Sequence, residues 1–226
     1  MKKAGKFITL EGPEGSGKST HLDFLCDYLS EKGFNILSVR DPGGTQVGEE
    51  IRKILLNPGL KGMSDMTELL LFEASRAQLV SKKIKPFLEA GPDNIVISSR
   101  FADATMVYQG FVRFRESKNI KHIEELNNMV MDGIIPDLTI LLDIDPVEGI
   151  RRARGVNKET PAGELDRIES EDIEFHENVR EGYLKLLKKN PERIKLVDAS
   201  EPVNTVRRQI FNLIEQLLGS VKKYVR

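Results

Sequence analysis

FITLEGPEGSGKSTHLDFL, residues Phe7 to Leu25, reads as three consecutive pieces. Phe7–Leu10 is a short apolar run suited to a buried strand, and a helix begins near Lys18. The turn between them, Gly12-Pro13-Glu14-Gly15-Ser16-Gly17-Lys18-Ser19, matches the phosphate-binding pattern G-x-x-x-x-G-K-[ST] in its required strand–turn–helix setting. Glycines let backbone N–H groups curl around phosphate oxygens, and the helix N-terminus adds partial positive charge. Lys18 can reach the outer phosphates, and the Ser19 hydroxyl can ligate magnesium. Residues Gly12 to Ser19, with Thr20 beyond them, form the candidate triphosphate site. The pattern calls for a nucleoside triphosphate and leaves the acceptor open.

Outward from this loop, short apolar runs alternate with longer helical patterns. Ile36–Val39, Ile95–Ile97, Leu138–Leu142 and Ile194–Val197 join Phe7–Leu10 as expected strands. Helices are expected over Lys18–Lys32, Gly48–Leu56, Thr67–Leu88, His122–Met131, Val147–Arg152, Asp172–Lys188 and Val203–Leu218. Asp65 and Glu68 are the expected caps of the third. Alternation of this kind implies an α/β fold, a parallel sheet with helices on both faces. With no repeat and no low-complexity linker, residues 1–226 read as a single domain. Arg154–Asp166 is polar, contains Gly155 and Gly163, and is the expected mobile lid.

Composition excludes several classes. Of 226 residues, 34 are Lys or Arg and 35 Asp or Glu, so no global basic field favours nucleic acid. One cysteine cannot form an intrachain disulfide; Cys26 shares a helical stripe with Leu22, Leu25 and Leu29, as a core residue would. No apolar run has the length of a membrane span, and Met1 to Gly5 is too short for a signal peptide, which makes the cytoplasm the expected location. His21, His122 and His176 lack zinc-ligand spacing and are expected to be surface or structural residues.

Candidate acceptor residues lie near later strand ends, where ligands bind in open α/β sheets. Arg40 and Asp41 follow the second strand. Phe72 and Arg76 stand one helical turn apart. Arg100 lies just past the third strand, with Tyr108-Gln109 beyond it. Together they offer cations for a second phosphate, an aromatic face for a ring and an amide for a base edge. Taken singly, Phe72 also suits a core, and Arg40 or Arg76 a surface ion pair.

The stretches EGPEGSGKST, RDPGGT, LLFEASRAQL, SRFADATMVYQG, PDLTILLDIDP and RARG…GELDRIE together resemble the thymidylate kinase family, over Phe7 to about Leu218. The resemblance implies a P-loop kinase fold with five parallel strands, a homodimer, and transfer of the γ-phosphate of ATP to dTMP with Mg2+. By the same resemblance, Phe72 would stack on thymine, and Arg76 and Gln109 would read its edge. Tyr108 would face the deoxyribose, Arg40 and Arg100 the dTMP phosphate, and Glu14 the 3′-hydroxyl. Lys18, Arg100 and a lid arginine would be catalytic. Gly15 and Ser16 at the loop tip resemble the arrangement in which lid arginines serve the transferring phosphoryl group; of Arg151, Arg152, Arg154 and Arg167, Arg154 is the first choice.

One position departs from the family. Ser99 stands where the family carries an aspartate that helps organise magnesium, leaving Ser19 as the secure protein ligand. Asp103 follows closely in the chain, and Asp143, at the end of a later strand, is another acid that could serve instead. The other readings are a nucleotide or deoxynucleoside kinase for a different base, and a nucleotide-binding protein that has lost catalysis.

Overall fold

The computed structural model describes residues 4–157 and 166–219. Five strands form one parallel sheet: β1 (Lys6–Glu11), β2 (Asn35–Arg40), β3 (Asn94–Ser99), β4 (Leu138–Asp143) and β5 (Ile194–Asp198). Their order is β2-β3-β1-β4-β5, so the strand feeding the glycine-rich loop is central. All five expected strands are present, each extended by one to three residues.

Helices cover the sheet. α1 (Lys18–Glu31), α2 (Gln46–Leu56), α3 (Asp65–Leu79), α4 (Lys85–Glu89), α5 (Ala102–Thr105), α6 (Ser117–Met131), α7 (Pro146–Asn157), α8 (Ile173–Lys189) and α9 (Val203–Leu218) follow in chain order. Ile8, Leu10, Ile95, Ile97, Ile140 and Leu142 meet the inward stripes of α1 and α9, including Leu25, Leu29, Ile210 and Ile214. Burying each such side chain contributes ~1.5–3 kcal/mol. Cys26 is half-buried beside this core, as its stripe predicts.

Several expectations need correction. The helix expected over Thr67–Leu88 is α3 and α4 joined by a wide i→i+5 turn at Val80–Ile84. Its cap is Ser64, whose hydroxyl accepts from Thr67 N; Asp65 is the first helical residue. A serine at that position can offer its side chain back to the backbone, whereas Asp65 is already inside the turn. The helix expected over Val147–Arg152 runs on to Asn157, so Arg154 and Gly155 belong to it. Residues 158–165 of the expected lid lie outside the described residues.

An unassigned helix follows Arg100. α5 widens into a π-helical segment, Met106–Phe114. A wider turn narrows the angle between successive side chains, and such turns concentrate at functional sites. Both Tyr108 and Gln109 line one cavity as a result.

The glycine-rich loop also rests on backbone. A Cβ on Gly15, at φ 67°, would come within 1.9 Å of Gly149 O in α7. A Cβ on Gly149 would come within 2.3 Å of Glu14 O. Neither atom can give way without moving main chain. Gly149→Ala is therefore expected to lower stability by about 1–3 kcal/mol, read from the urea midpoint. An unchanged midpoint would mean that the loop shifts freely.

Candidate active site

The loop begins where β1 ends and closes at the α1 N-terminus. Gly12, Gly15 and Gly17 take φ of 141°, 67° and 85°, which side-chain-bearing residues rarely adopt. Lys18 Nζ donates to Pro13 O at 2.7 Å, Gly12 O at 3.1 Å and Ser16 Oγ at 3.3 Å. Burial and the neighbouring Arg100 push the Lys18 ammonium down to about 7, against the opposing pull of Glu14 and Glu11. Its charge is stabilised by carbonyl dipoles and carboxylates at some distance, and phosphate oxygens would serve it better.

Two cavities flank this loop. The larger, about 570 Å³, is lined by Glu14, Lys18, Ser19, Arg40, Asp41, Arg52, Phe72, Arg76, Ser99, Arg100, Tyr108, Gln109 and Asp166, among others. It brings together the expected acceptor residues Glu14, Arg40, Phe72, Arg76, Arg100, Tyr108 and Gln109 from four separate stretches of chain. The smaller, about 370 Å³, lies between Gly15, Ser16, Gly17, Thr20 and His21 on one side and Arg152, Ala199, Glu201, Val203 and Val206 on the other.

Arg100 connects the loop to the larger cavity. Its backbone sits at φ 66°, an uncommon conformation for arginine. Ser98 Oγ donates to its carbonyl at 2.6 Å, and its own N–H reaches Leu10 O at 3.0 Å. Its guanidinium donates to Gly12 O (3.2 Å), the Tyr183 hydroxyl (3.1 Å) and Glu14, and lies over the Tyr108 ring at 4.9 Å. Burial would raise the Glu14 carboxyl, but Arg100 and Lys18 outweigh it and hold the group at about 2. The Tyr108 hydroxyl also donates to Glu14, at 3.3 Å. Glu11 accepts from Phe101 N at 2.7 Å and from the Tyr183 hydroxyl at 2.8 Å. Burial and nearby Asp103 raise it to about 7 despite Arg100.

Arg76 is almost wholly buried rather than a surface ion-pair residue. It donates to Asp41 (2.6 Å), Glu73 (2.7 Å), Asn127 (2.6 Å), Thr105 (2.7 Å) and Phe101 O (3.4 Å). A guanidinium has five N–H groups, so the long Phe101 bond is the one a ligand carbonyl would displace at least loss. Burial works against its charge, yet Asp41 and Glu73 hold its pKa above the ordinary value. Gln109 Nε2 donates to Glu68 at 2.8 Å, and Phe72, 9% exposed, belongs to the same buried cluster as Leu55 and Tyr108.

Arg40 is exposed and pairs with Glu49 at 2.8 Å. Arg52 lies deeper, donates to Pro42 O at 3.0 Å and adds a cation that sequence reading missed; only its i+3 spacing from Glu49 on α2 hinted at it. Of the lid arginines, Arg151 and Arg152 grip Glu148, and Arg152 also reaches Ala199 O. Arg167 is buried on Glu68 and Leu55 O, which removes it from the candidates for a free phosphate-binding cation. Arg154 is exposed on α7. Buried His21 and His176 and exposed His122 fit the structural-or-surface expectation.

Both acids that could stand in for the carboxylate absent at Ser99 are paired with arginines. Asp103 is held by Arg193 through two bonds of 2.6 and 2.8 Å, and Asp143 by Arg180 through two of 2.8 Å. Among the described residues, no group of three His, Cys, Asp or Glu side chains could cage a metal. The Ser19 hydroxyl, on the cavity wall beside Lys18, suits a hard cation that arrives with phosphates and keeps its waters.

A P-loop after the central strand, with a cavity lined by arginines beside it, defines a phosphotransferase of the nucleotide-kinase class. The thymidylate kinase family model matches residues 10–210. Thymidylate kinase of Thermoanaerobacter sp. (strain X514) is 44% identical over 214 residues, spanning 95% of this chain and 99% of that one. The same enzyme of Protochlamydia amoebophila (strain UWE25) is 44% identical over 217 residues, spanning 95% and 94%. The solved thymidylate kinase of Ehrlichia chaffeensis gives a TM-score of 0.72 at 32% identity, covering 94% of this chain and 99% of that one. The chain belongs to the thymidylate kinase family.

With Lys18 at about 7, roughly a tenth of it is charged at pH 8. Phosphates would restore the ammonium, so ATP binding at pH 8 is expected to take up close to one proton. Calorimetry in buffers of different ionisation enthalpy measures this. Lys18→Arg, whose guanidinium stays charged, should take up none. Equal uptake by both proteins would overturn the assignment to Lys18.

Proposed function

We infer that the two cavities hold the two substrates, with the phosphate-binding loop between them. The enzyme transfers the γ-phosphate of ATP to dTMP, giving dTDP and ADP. The observation that carries the assignment of dTMP to the larger cavity is the convergence there of Phe72, Arg76, Gln109 and Arg100, on the Lys18 side of the loop. An aromatic face accepts any base, so identity must come from polar edge groups. Arg76 offers a donor to the thymine O4, and Gln109 meets N3–H. Tyr108 lies against the deoxyribose, and Glu14, ionised by Arg100, accepts from the 3′-hydroxyl. Arg100, Arg40 and Arg52 take the dTMP phosphate.

ATP spans Gly12 to Thr20, with its base in the smaller cavity. Lys18 neutralises charge shared between the outer phosphates, and Arg154 approaches them from α7. Phosphoryl transfer needs little else from protein than positioning and electrostatic stabilisation. The Ser19 hydroxyl would hold a magnesium ion arriving with ATP, which would supply positive charge against the phosphates. One kinase domain carries all of this. A homodimer is supported by exposed apolar stripes on adjoining helices, Val47 and Ile54 on α2 and Met66 and Leu70 on α3. Among the described residues no helix is long and apolar enough to cross a membrane; a cytoplasmic location is our reading from the family.

A coupled assay of ADP release with dTMP against dUMP, dCMP and dGMP tests the whole assignment. dTMP should be preferred, and Lys18→Ala should lose at least about a hundredfold in turnover while remaining folded. Preference for another acceptor, or near-normal turnover in the variant, would overturn it. For the metal, Ser99→Asp should lower the free magnesium needed for half-maximal rate, because a carboxylate adds charge where a hydroxyl adds only a dipole. An equal or higher requirement would mean that Ser99 is no simple loss of a ligand.

A further inference from the structure

Glu68 lies outside the cavity wall, in the first turn of α3, and is 2% exposed. Gln109 Nε2 donates to its Oε1 at 2.8 Å. Arg113 Nε approaches the same oxygen at 3.4 Å, and Arg167 Nη2 approaches Oε2 at 2.5 Å. A carboxylate between two guanidinium groups is an acceptor only. It can face the NH2 end of a neighbouring amide and not the carbonyl end. The Gln109 amide is therefore held in one of its two orientations, with Nε2 toward Glu68 and Oε1 turned away as the group it can offer to the cavity it lines.

We propose that Glu68 is a specificity-determining positioning residue that selects the acceptor base by locking the Gln109 amide with its oxygen toward the ring nitrogen. The proposal rests on the reading above that Gln109 meets the base edge. Thymine presents a donor, N3–H, and satisfies that oxygen. A cytosine ring presents a lone pair at N3, so two acceptors face each other in a buried site, and the pair is left unsatisfied. A free glutamine would escape by turning its amide over. Glu68 removes that escape, because the turned amide would set Oε1 against a carboxylate. Arg167 enters the same device from beyond the lid: its N–H donates to Leu56 O at 3.1 Å and its Nε to Leu55 O at 2.8 Å, which fixes the guanidinium that fixes Glu68.

The test compares dTMP with 5-methyl-dCMP, which keeps the methyl group and reverses the edge. Glu68→Gln is isosteric but can donate or accept, so the Gln109 amide can turn. The kcat/KM ratio of dTMP over 5-methyl-dCMP should fall by about tenfold or more, mostly through gain on 5-methyl-dCMP, with the KM for ATP unchanged. Glu68→Asp, still acceptor-only, should keep the ratio even where the KM for dTMP rises. A Glu68→Gln enzyme that loses both substrates in parallel, ratio unchanged, would reduce Glu68 to a structural residue. Gln109→Ala separates the two ideas: an unchanged ratio there overturns the base-edge role of Gln109 itself, whereas a changed ratio there with none in Glu68→Gln overturns only the lock. Should Glu68→Gln not fold, the wild-type protein decides. The Gln109 side-chain NH2 signal, assigned by its loss in Gln109→Ala, should stay protected from solvent exchange before and after dTMP binds. Rapid exchange in either state would overturn the proposal.

Discussion

The Arg100 guanidinium holds the two halves of the site together. It leaves the end of β3 and ends among groups from β1, the phosphate-binding loop and α8, donating to Gly12 O, Glu14 and the Tyr183 hydroxyl. Removing it would take the opposing charge from half-buried Glu14 and from buried Glu11, and leave both carboxyls less compensated. Arg100 also depresses the Lys18 ammonium while keeping Glu14 ionised. One cation thus adds to the effect of burial on the Lys18 ammonium and, with Lys18, opposes the effect of burial on the Glu14 carboxyl. Its left-handed backbone, an unfavourable conformation of order 1–3 kcal/mol, is overruled by this surrounding network.

At the wall of the larger cavity lies a second buried charge system. Arg76, Asp41 and Glu73 are nearly dry, with Asn127 and Thr105 completing the donors' partners. Such clusters seldom add net stability over apolar packing. Here the groups hold a guanidinium rigidly at the wall of a binding site, which spares the ligand the entropy of ordering a long side chain. The Asp41 carboxyl, raised by burial against the pull of Arg76, marks how closely that balance is drawn.

The sequence made the local features legible and left the tertiary ones hidden. A strand, a glycine turn and a lysine adjoin one another in the chain, so the loop could be read directly, and the five apolar runs gave the sheet. The acceptor residues were legible as a set only through family likeness, since Phe72, Arg100 and Gln109 come from separate elements. Gly149 could not be found, because its constraint is a carbonyl belonging to Glu14. Glu68 looked like a cap and Arg167 like a lid cation; each is defined by the other across about a hundred residues of chain. The helix after Arg100 escaped notice because a wide turn breaks the 3.6-residue period on which such assignments depend.

The packing of Gly15 against Gly149 bears on which substitutions the loop can accept. The resemblance set a loop whose own arginine serves the transferring phosphoryl group against a loop that leaves this to arginines of a lid. In this chain any side chain at position 15 meets the Gly149 carbonyl at its first carbon. The loop-arginine solution at that position is thus closed to a single substitution, and reaching it would require the start of α7 to withdraw at the same time. A side chain at position 15 and a helix this close to the loop are therefore mutually exclusive, so the two positions can only change together.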